Sequence, residues 1–120
     1  MNAFEIPAGQ FTLNASTAVP WHRFVKVDNN GGAALATKAN DAIVGISYVD
    51  AKATQPLSIV GAGLPMVEAS EAIAAGDMVV PTTDGKAAKA TAPTDTNART
   101  AGFFAITSAT AAGDLITIKL

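Results

Sequence analysis

One stretch of this chain is written twice. Val25-Lys26-Val27-Asp28-Asn29-Asn30-Gly31-Gly32-Ala33-Ala34-Leu35-Ala36-Thr37 aligns without a gap on Val79-Val80-Pro81-Thr82-Thr83-Asp84-Gly85-Lys86-Ala87-Ala88-Lys89-Ala90-Thr91. Each copy reads as a short apolar strand, a polar turn and an Ala-rich return to a Thr. Asn30-Gly31 and Asp84-Gly85 sit at the turns. Such dipeptides signal hairpins, because a type I′ turn needs positive φ at both central residues. Each copy runs on to a Gly that leads an apolar strand, Gly45-Ile46-Ser47-Tyr48-Val49 and Gly102-Phe103-Phe104-Ala105-Ile106. The second copy carries three more residues on the way, within Ala92–Asn97. Pro and polar residues there predict a surface loop. Two copies of one β-module in 120 residues constrain the chain to a pseudo-symmetric barrel or sandwich, since a solenoid needs at least three repeats.

The rest of the chain agrees with an all-β fold carrying only minor helical turns. Short β-branched runs predict strands at Phe11–Leu13, Phe24–Val27, Ile43–Val49, Leu57–Val60, Leu64–Val67, Met78–Pro81, Gly102–Thr107 and Leu115–Leu120. Gly, Pro, Asn or Asp punctuates them. Ile116, Ile118 and Leu120 alternate with Thr117 and Lys119, a period of two with one buried face. Ser70–Ala75 is the best helical segment, with Ser70 as N-cap and Gly76 as stop. A second echo pairs Ala74-Ala75-Gly76-Asp77-Met78-Val79-Val80 with Ala111-Ala112-Gly113-Asp114-Leu115-Ile116-Thr117. In both, a Gly-Asp turn launches a strand, and Asp77 and Asp114 are expected to accept hydrogen bonds from their own turns.

Composition narrows the function. The net charge is −2 and charged residues make up 15%, with Lys and Arg scattered rather than gathered in the basic stripe of a nucleic-acid binder. No nucleic-acid partner is expected. No apolar run approaches a membrane span, and the N-terminus lacks the basic and apolar regions of a signal peptide. The absence of cysteine removes disulfides and thiolate metal sites and favours an intracellular origin.

The sequence holds little that could do catalytic chemistry. His22 is the one histidine, and no Gly-x-Ser-x-Gly elbow accompanies it. Trp21-His22 reads as a half-buried anchor near a strand. Gly61-Ala62-Gly63 lacks the third glycine and acidic partner of a dinucleotide loop and is expected to be a flexible turn. Asp28-Asn29-Asn30-Gly31-Gly32 lacks the bidentate Glu of a calcium loop, having Ala39 at the twelfth position. No catalytic residue, metal site or cofactor is expected, and the chain is not expected to be an enzyme.

The order and spacing of these segments resemble the capsid decoration, or head cement, proteins of tailed phages. The resemblance runs through Phe24-Val25-Lys26-Val27, Val44-Gly45-Ile46 and Leu57–Val67. It continues through Ala75-Gly76-Asp77-Met78-Val79, Asp84-Gly85-Lys86-Ala87, Ala101-Gly102-Phe103 and Gly113–Leu120, covering the chain from about Gln10. It implies a β-rich domain, commonly a homotrimer, made in the host cytoplasm. Such a domain binds the major capsid protein on the outer surface of the expanded shell and stabilises it, without turnover or cofactor. Residues 1–14 are expected to form an extended arm and residues 15–120 a single domain. Phe4, Ile6, Pro7 and Phe11 on the arm, with Trp21 and His22, are the expected contacts to the capsid or to sister subunits, aromatic residues being enriched at interface hot spots. The alternative is a carbohydrate-binding or fibre-type module of the virion surface, for which exposed aromatic platforms would be needed.

Overall fold

A computed structural model describes residues 3–38, 41–90 and 103–120. Ten strands form in chain order: β1 (Ile6–Asn14), β2 (Phe24–Val27), β3 (Ala33–Leu35), β4 (Ile43–Ser47), β5 (Pro56–Leu64), β6 (Met66–Glu68), β7 (Val79–Pro81), β8 (Ala87–Lys89), β9 (Phe104–Ala105) and β10 (Leu115–Lys119). All named pairings are antiparallel. The sheets run β1-β5-β4-β2-β3, β6-β10-β9 and β7-β8. The fold is all-β and sandwich-like rather than a closed barrel, and no helix occurs among the described residues.

The repeat is a repeat of structure. In the first half Val25 pairs with Leu35 and Val27 with Ala33; in the second Val79 pairs with Lys89 and Pro81 with Ala87. Ser16 gives its amide and hydroxyl to the Ala33 carbonyl, and Ser70 does the same to Ala87. Leu13 faces Leu57 on β1 and β5, as Val67 faces Ile116 on β6 and β10. Phe24 faces Ile46, as Met78 faces Phe104 in a single bridge joining β7 to β9. The second half is therefore the same five strands in the same order, broken into two shorter sheets. The duplication extends well beyond the repeat visible in the sequence. The counterpart of Ile46 is Phe104, one residue later than the Gly45–Gly102 alignment implies. The predicted loop within Ala92–Asn97 lies outside the described residues.

The cores repeat too. Val19, Val25, Leu57 and Ile59 are buried in the first half, and their counterparts Ile73, Val79, Ile116 and Ile118 in the second. The halves are joined asymmetrically. Phe24, Ala36 and Ile46 lie on the other face of the first sheet and pack into the second half's core. The counterpart of Ile46, Phe104, is 40% exposed. One half thus lays its outer face on the next half's inner face, so the packing is head-to-tail.

Three local expectations are corrected. Ser70–Ala75 forms bends, a bridge through Ile73 and a turn instead of a helix. The Ser70 hydroxyl is spent on the Ala87 carbonyl, and pairing with Ala109 holds Ile73. Gly61-Ala62-Gly63 lies inside β5, paired to β1 through Ala62↔Gly9 and Gly63↔Pro7. A Cβ on Gly63 would stand 2.5 Å from the Ile6 carbonyl oxygen, so glycine serves close strand approach there. The hairpins form without type I′ turns, because only Gly31 and Gly85 have positive φ while Asn30 and Asp84 do not. Each is a turn closed by an amide bonding three residues back, Gly31 to Asp28 and Gly85 to Thr82. Glycine follows in the left-handed region, the longer-loop solution to the same reversal. The Gly-Asp turns behave as expected: the Asp77 carboxylate accepts the Ala74 amide at 2.9 Å, and Asp114 accepts Thr110 and Ala111.

Candidate surface site around Trp21 and His22

The segment 1–14 contributes β1, an edge strand of the five-stranded sheet, from Ile6 onward. Ile6 is 55% exposed. Pro7 is half-buried where the register with β5 shifts, and a residue without an N–H is tolerated on such an edge. Phe11 is partly exposed and rests its ring against Gly61. Before β1, Phe4 crosses to the other half, donating its amide to the Thr117 hydroxyl at 2.8 Å while its carbonyl accepts from that hydroxyl.

The second group of expected contacts is a turn. Trp21 is 42% exposed. Its indole stacks on the His22 imidazole with centroids 4.8 Å apart, and Tyr48 meets it edge-on at 6.0 Å. Such pairs add attraction beyond their buried area. The Trp21 amide donates to Asp50 Oδ1 at 2.7 Å. His22 has φ 65°, a left-handed conformation uncommon for a residue with a side chain. Its amide reaches the Ser47 carbonyl, its own carbonyl accepts from the Glu68 amide at 2.9 Å, and Nδ1 lies 3.3 Å from the Met66 carbonyl. Met66 also gives its amide to the Glu5 carboxylate at 3.0 Å. One strand edge therefore gathers Glu5 from the N-terminal segment and His22 from the aromatic turn. Phe11 lies farther along β1.

A half-buried ionic cluster stands behind this turn. Glu68 bridges Lys86 at 2.9 Å and Arg23 at 3.2 Å. Burial alone would raise the Glu68 carboxyl, but hydrogen bonds from Lys86 and Arg23 outweigh it and hold the group below its ordinary value. Arg23 also reaches the Asp84 carbonyl, and Ser47 Oγ accepts the Arg23 amide at 3.0 Å. The turn is thus anchored to the second half from behind while its rings face outward.

Trp21 and His22 were legible as aromatic outliers in the sequence. Tyr48 and Asp50 were not, because they arrive from the far end of β4. Each half also carries a shallow depression, beside Ala18, Val19 and Pro20 in the first and beside Ala72, Ile73 and Ala74 in the second. Because both halves have it, the depression comes with the duplicated fold. No group of three His, Asp or Glu that could hold a metal occurs among the described residues.

The crystal structure of the N base of the head fiber gp8.5 of bacteriophage phi29 superposes with a TM-score of 0.71 at 19% identity, covering 93% of this chain and 92% of that one. At that identity the likeness establishes the fold alone. No curated protein sequence matches the chain. A family model described as phage cement protein matches residues 6–120, taking in both halves, the edge strand and the aromatic turn. The chain therefore belongs to the phage cement protein family and is a capsid-associated structural protein of the virion.

Proposed function

We propose that this protein binds the outer surface of the expanded capsid, ties neighbouring major capsid protein subunits together and so stabilises the shell, acting as a homotrimer and without catalysis. The observation that carries the reading is the cement-family match across residues 6–120. It is supported by a small all-β body that exposes apolar side chains on β1 and at the Trp21 turn, among other places. A protein that binds only the assembled state stabilises that state by mass action. Phe4, Ile6, Pro7, Phe11, Trp21 and His22 are the proposed contacts. Ile6, Phe11 and Trp21 supply exposed apolar surface, and Phe4 and Pro7 fix the course of the strand that presents it.

Co-sedimentation with expanded, undecorated heads tests the reading. Saturable binding to expanded heads, little binding to unexpanded ones and a higher melting temperature of the decorated shell are expected. No binding well above micromolar concentrations would overturn it and favour the carbohydrate-binding module, which a glycan array would then examine.

A further inference from the structure

The duplication supplies an internal control for every position. His22 occupies the place that Gly76 has in the second half. Both sit in the left-handed region, at φ 65° and 92°. Both donate their amides to corresponding carbonyls, Ser47 for His22 and Ala105 for Gly76. The turn therefore forms with glycine, which meets no steric penalty there. The neighbours differ in the same sense. Trp21 corresponds to Ala75 and Tyr48 to Ile106, so the second half keeps the turn and has none of the aromatic rings. What the first half adds is side chains, held on a backbone that disfavours them.

Strain of this kind marks function when an observed outlier comes first and the hypothesis second. Here the outlier braces an exposed indole. The imidazole stacks on one side of Trp21, and Tyr48 meets it edge-on. Two carboxylates lie nearby, Asp50 on the Trp21 amide and Glu5 one peptide from the imidazole through Met66. Neither forms an ion pair among the described residues. An aromatic face bordered by uncompensated carboxylates attracts a cation through the ring quadrupole and the charges together.

We propose that His22 is a positioning residue that fixes Trp21 as a platform for a lysine or arginine side chain of the capsid shell, with Asp50 as the charged rim. This rests on the capsid-binding reading above and names the chemistry of the contact.

The test compares four variants with wild type in co-sedimentation with expanded heads at low and at moderate salt, alongside thermal melts. Asp50→Asn keeps an oxygen for the Trp21 amide and removes the charge. His22→Gly keeps the backbone and removes the ring. Trp21→Ala removes the platform. Thr54→Gly is the control, a second left-handed residue (φ 72°) whose amide bonds the Ala15 carbonyl and no residue of the aromatic turn. Wild type and Thr54→Gly should bind alike. His22→Gly and Trp21→Ala should bind at least tenfold more weakly, with His22→Gly melting within a few degrees of wild type. Asp50→Asn should bind several-fold more weakly at low salt and lose most of the salt dependence. His22→Gly binding like wild type, or losing attachment only in step with its melting temperature, would overturn the positioning role. Asp50→Asn binding like wild type at low salt would overturn the cationic partner. Wild type failing to bind heads at all would instead remove the capsid-binding reading itself.

Discussion

Thr54 and Gly113 occupy equivalent turns, at φ 72° and 95°. The Thr54 amide bonds the Ala15 carbonyl, as the Gly113 amide bonds that of Ala69. A β-branched residue in the left-handed region costs roughly 1–2 kcal/mol relative to its preferred conformation. Replacing it with glycine removes that cost but adds about 0.5–1 kcal/mol of chain entropy to the unfolded state. The Thr54 side chain is exposed, so little burial is lost. Thr54→Gly should therefore stabilise by about 0.5–1 kcal/mol, and Gly113→Thr, the same exchange reversed, should destabilise by a similar amount. For 120 residues the unfolding entropy is about 0.25 kcal/mol/K, so Tm should rise by about 2–4 °C in one variant and fall by as much in the other. Calorimetry supplies the readout, with urea melts to verify that the m-value is unchanged. A lower Tm for Thr54→Gly, or a neutral Gly113→Thr, would refute the equivalence of the two turns and the accounting built on it.

Gly63→Ala places a Cβ 2.5 Å from the Ile6 carbonyl oxygen at φ 101°, so β1 must move away from β5. A loss of about 3 kcal/mol or more is expected in urea unfolding, together with faster amide exchange across Ile6–Gln10. Ser47 is fully buried, donating to the Pro20 carbonyl at 2.6 Å and accepting the Arg23 amide. Ser47→Ala should cost about 1–3 kcal/mol by leaving those groups unpaired, and an unchanged urea midpoint would contradict that network. Four carboxyls are held below their ordinary values, Asp28 among them through hydrogen bonds led by the Ser16 side chain. Burial is outweighed by Lys86 and Arg23 at Glu68 and by the Thr37 and Lys38 amides at Asp41, while the Thr110 amide lowers Asp114. Groups depressed on folding stabilise above their unfolded values and lose that contribution as pH falls through the folded ones. The urea midpoint should therefore hold from neutrality to near the ordinary Glu value of 4.5 and fall below it, whereas a rise on acidification would show the sign to be wrong.

Much of the architecture was legible because its signals are local. β2 matched the expected Phe24–Val27, and β10 followed from the alternation of Ile116 and Ile118. The return strands β3 and β8 were visible as arms of the repeat, yet Ala33-Ala34 and Ala87-Ala88 have little strand preference of their own, and pairing alone makes them strands. β1 was underestimated because Pro7 and Gly9 interrupt the pattern, while β5 supplies the partners that carry the strand through two register shifts. Ser70–Ala75 shows the opposite failure, local helix preference overridden by cross-chain bonds to Ala87 and Ala109. At the candidate site the aromatic pair was readable and its backbone was not. The alignment that starts at Val25 and Val79 would have set His22 opposite Gly76 had it been carried three residues upstream, and that substitution is the signal that exposes the strain.

Head-to-tail stacking has no built-in end. A contact between an outer face and an inner face can be repeated, closing into a ring only if the rotation permits and otherwise running on as a filament. Repeat arrays stop such growth with a terminal unit whose outer surface is unlike the others. In this chain a short segment ahead of β1 lies on that outer surface. Ala3–Glu5 passes across the outer side of β10, clasped through Phe4 by the Thr117 hydroxyl, and Lys119 sets a charge opposite Phe104 on that side. Ala3–Glu5 thus occupies part of the face on which a further module of this kind would stack.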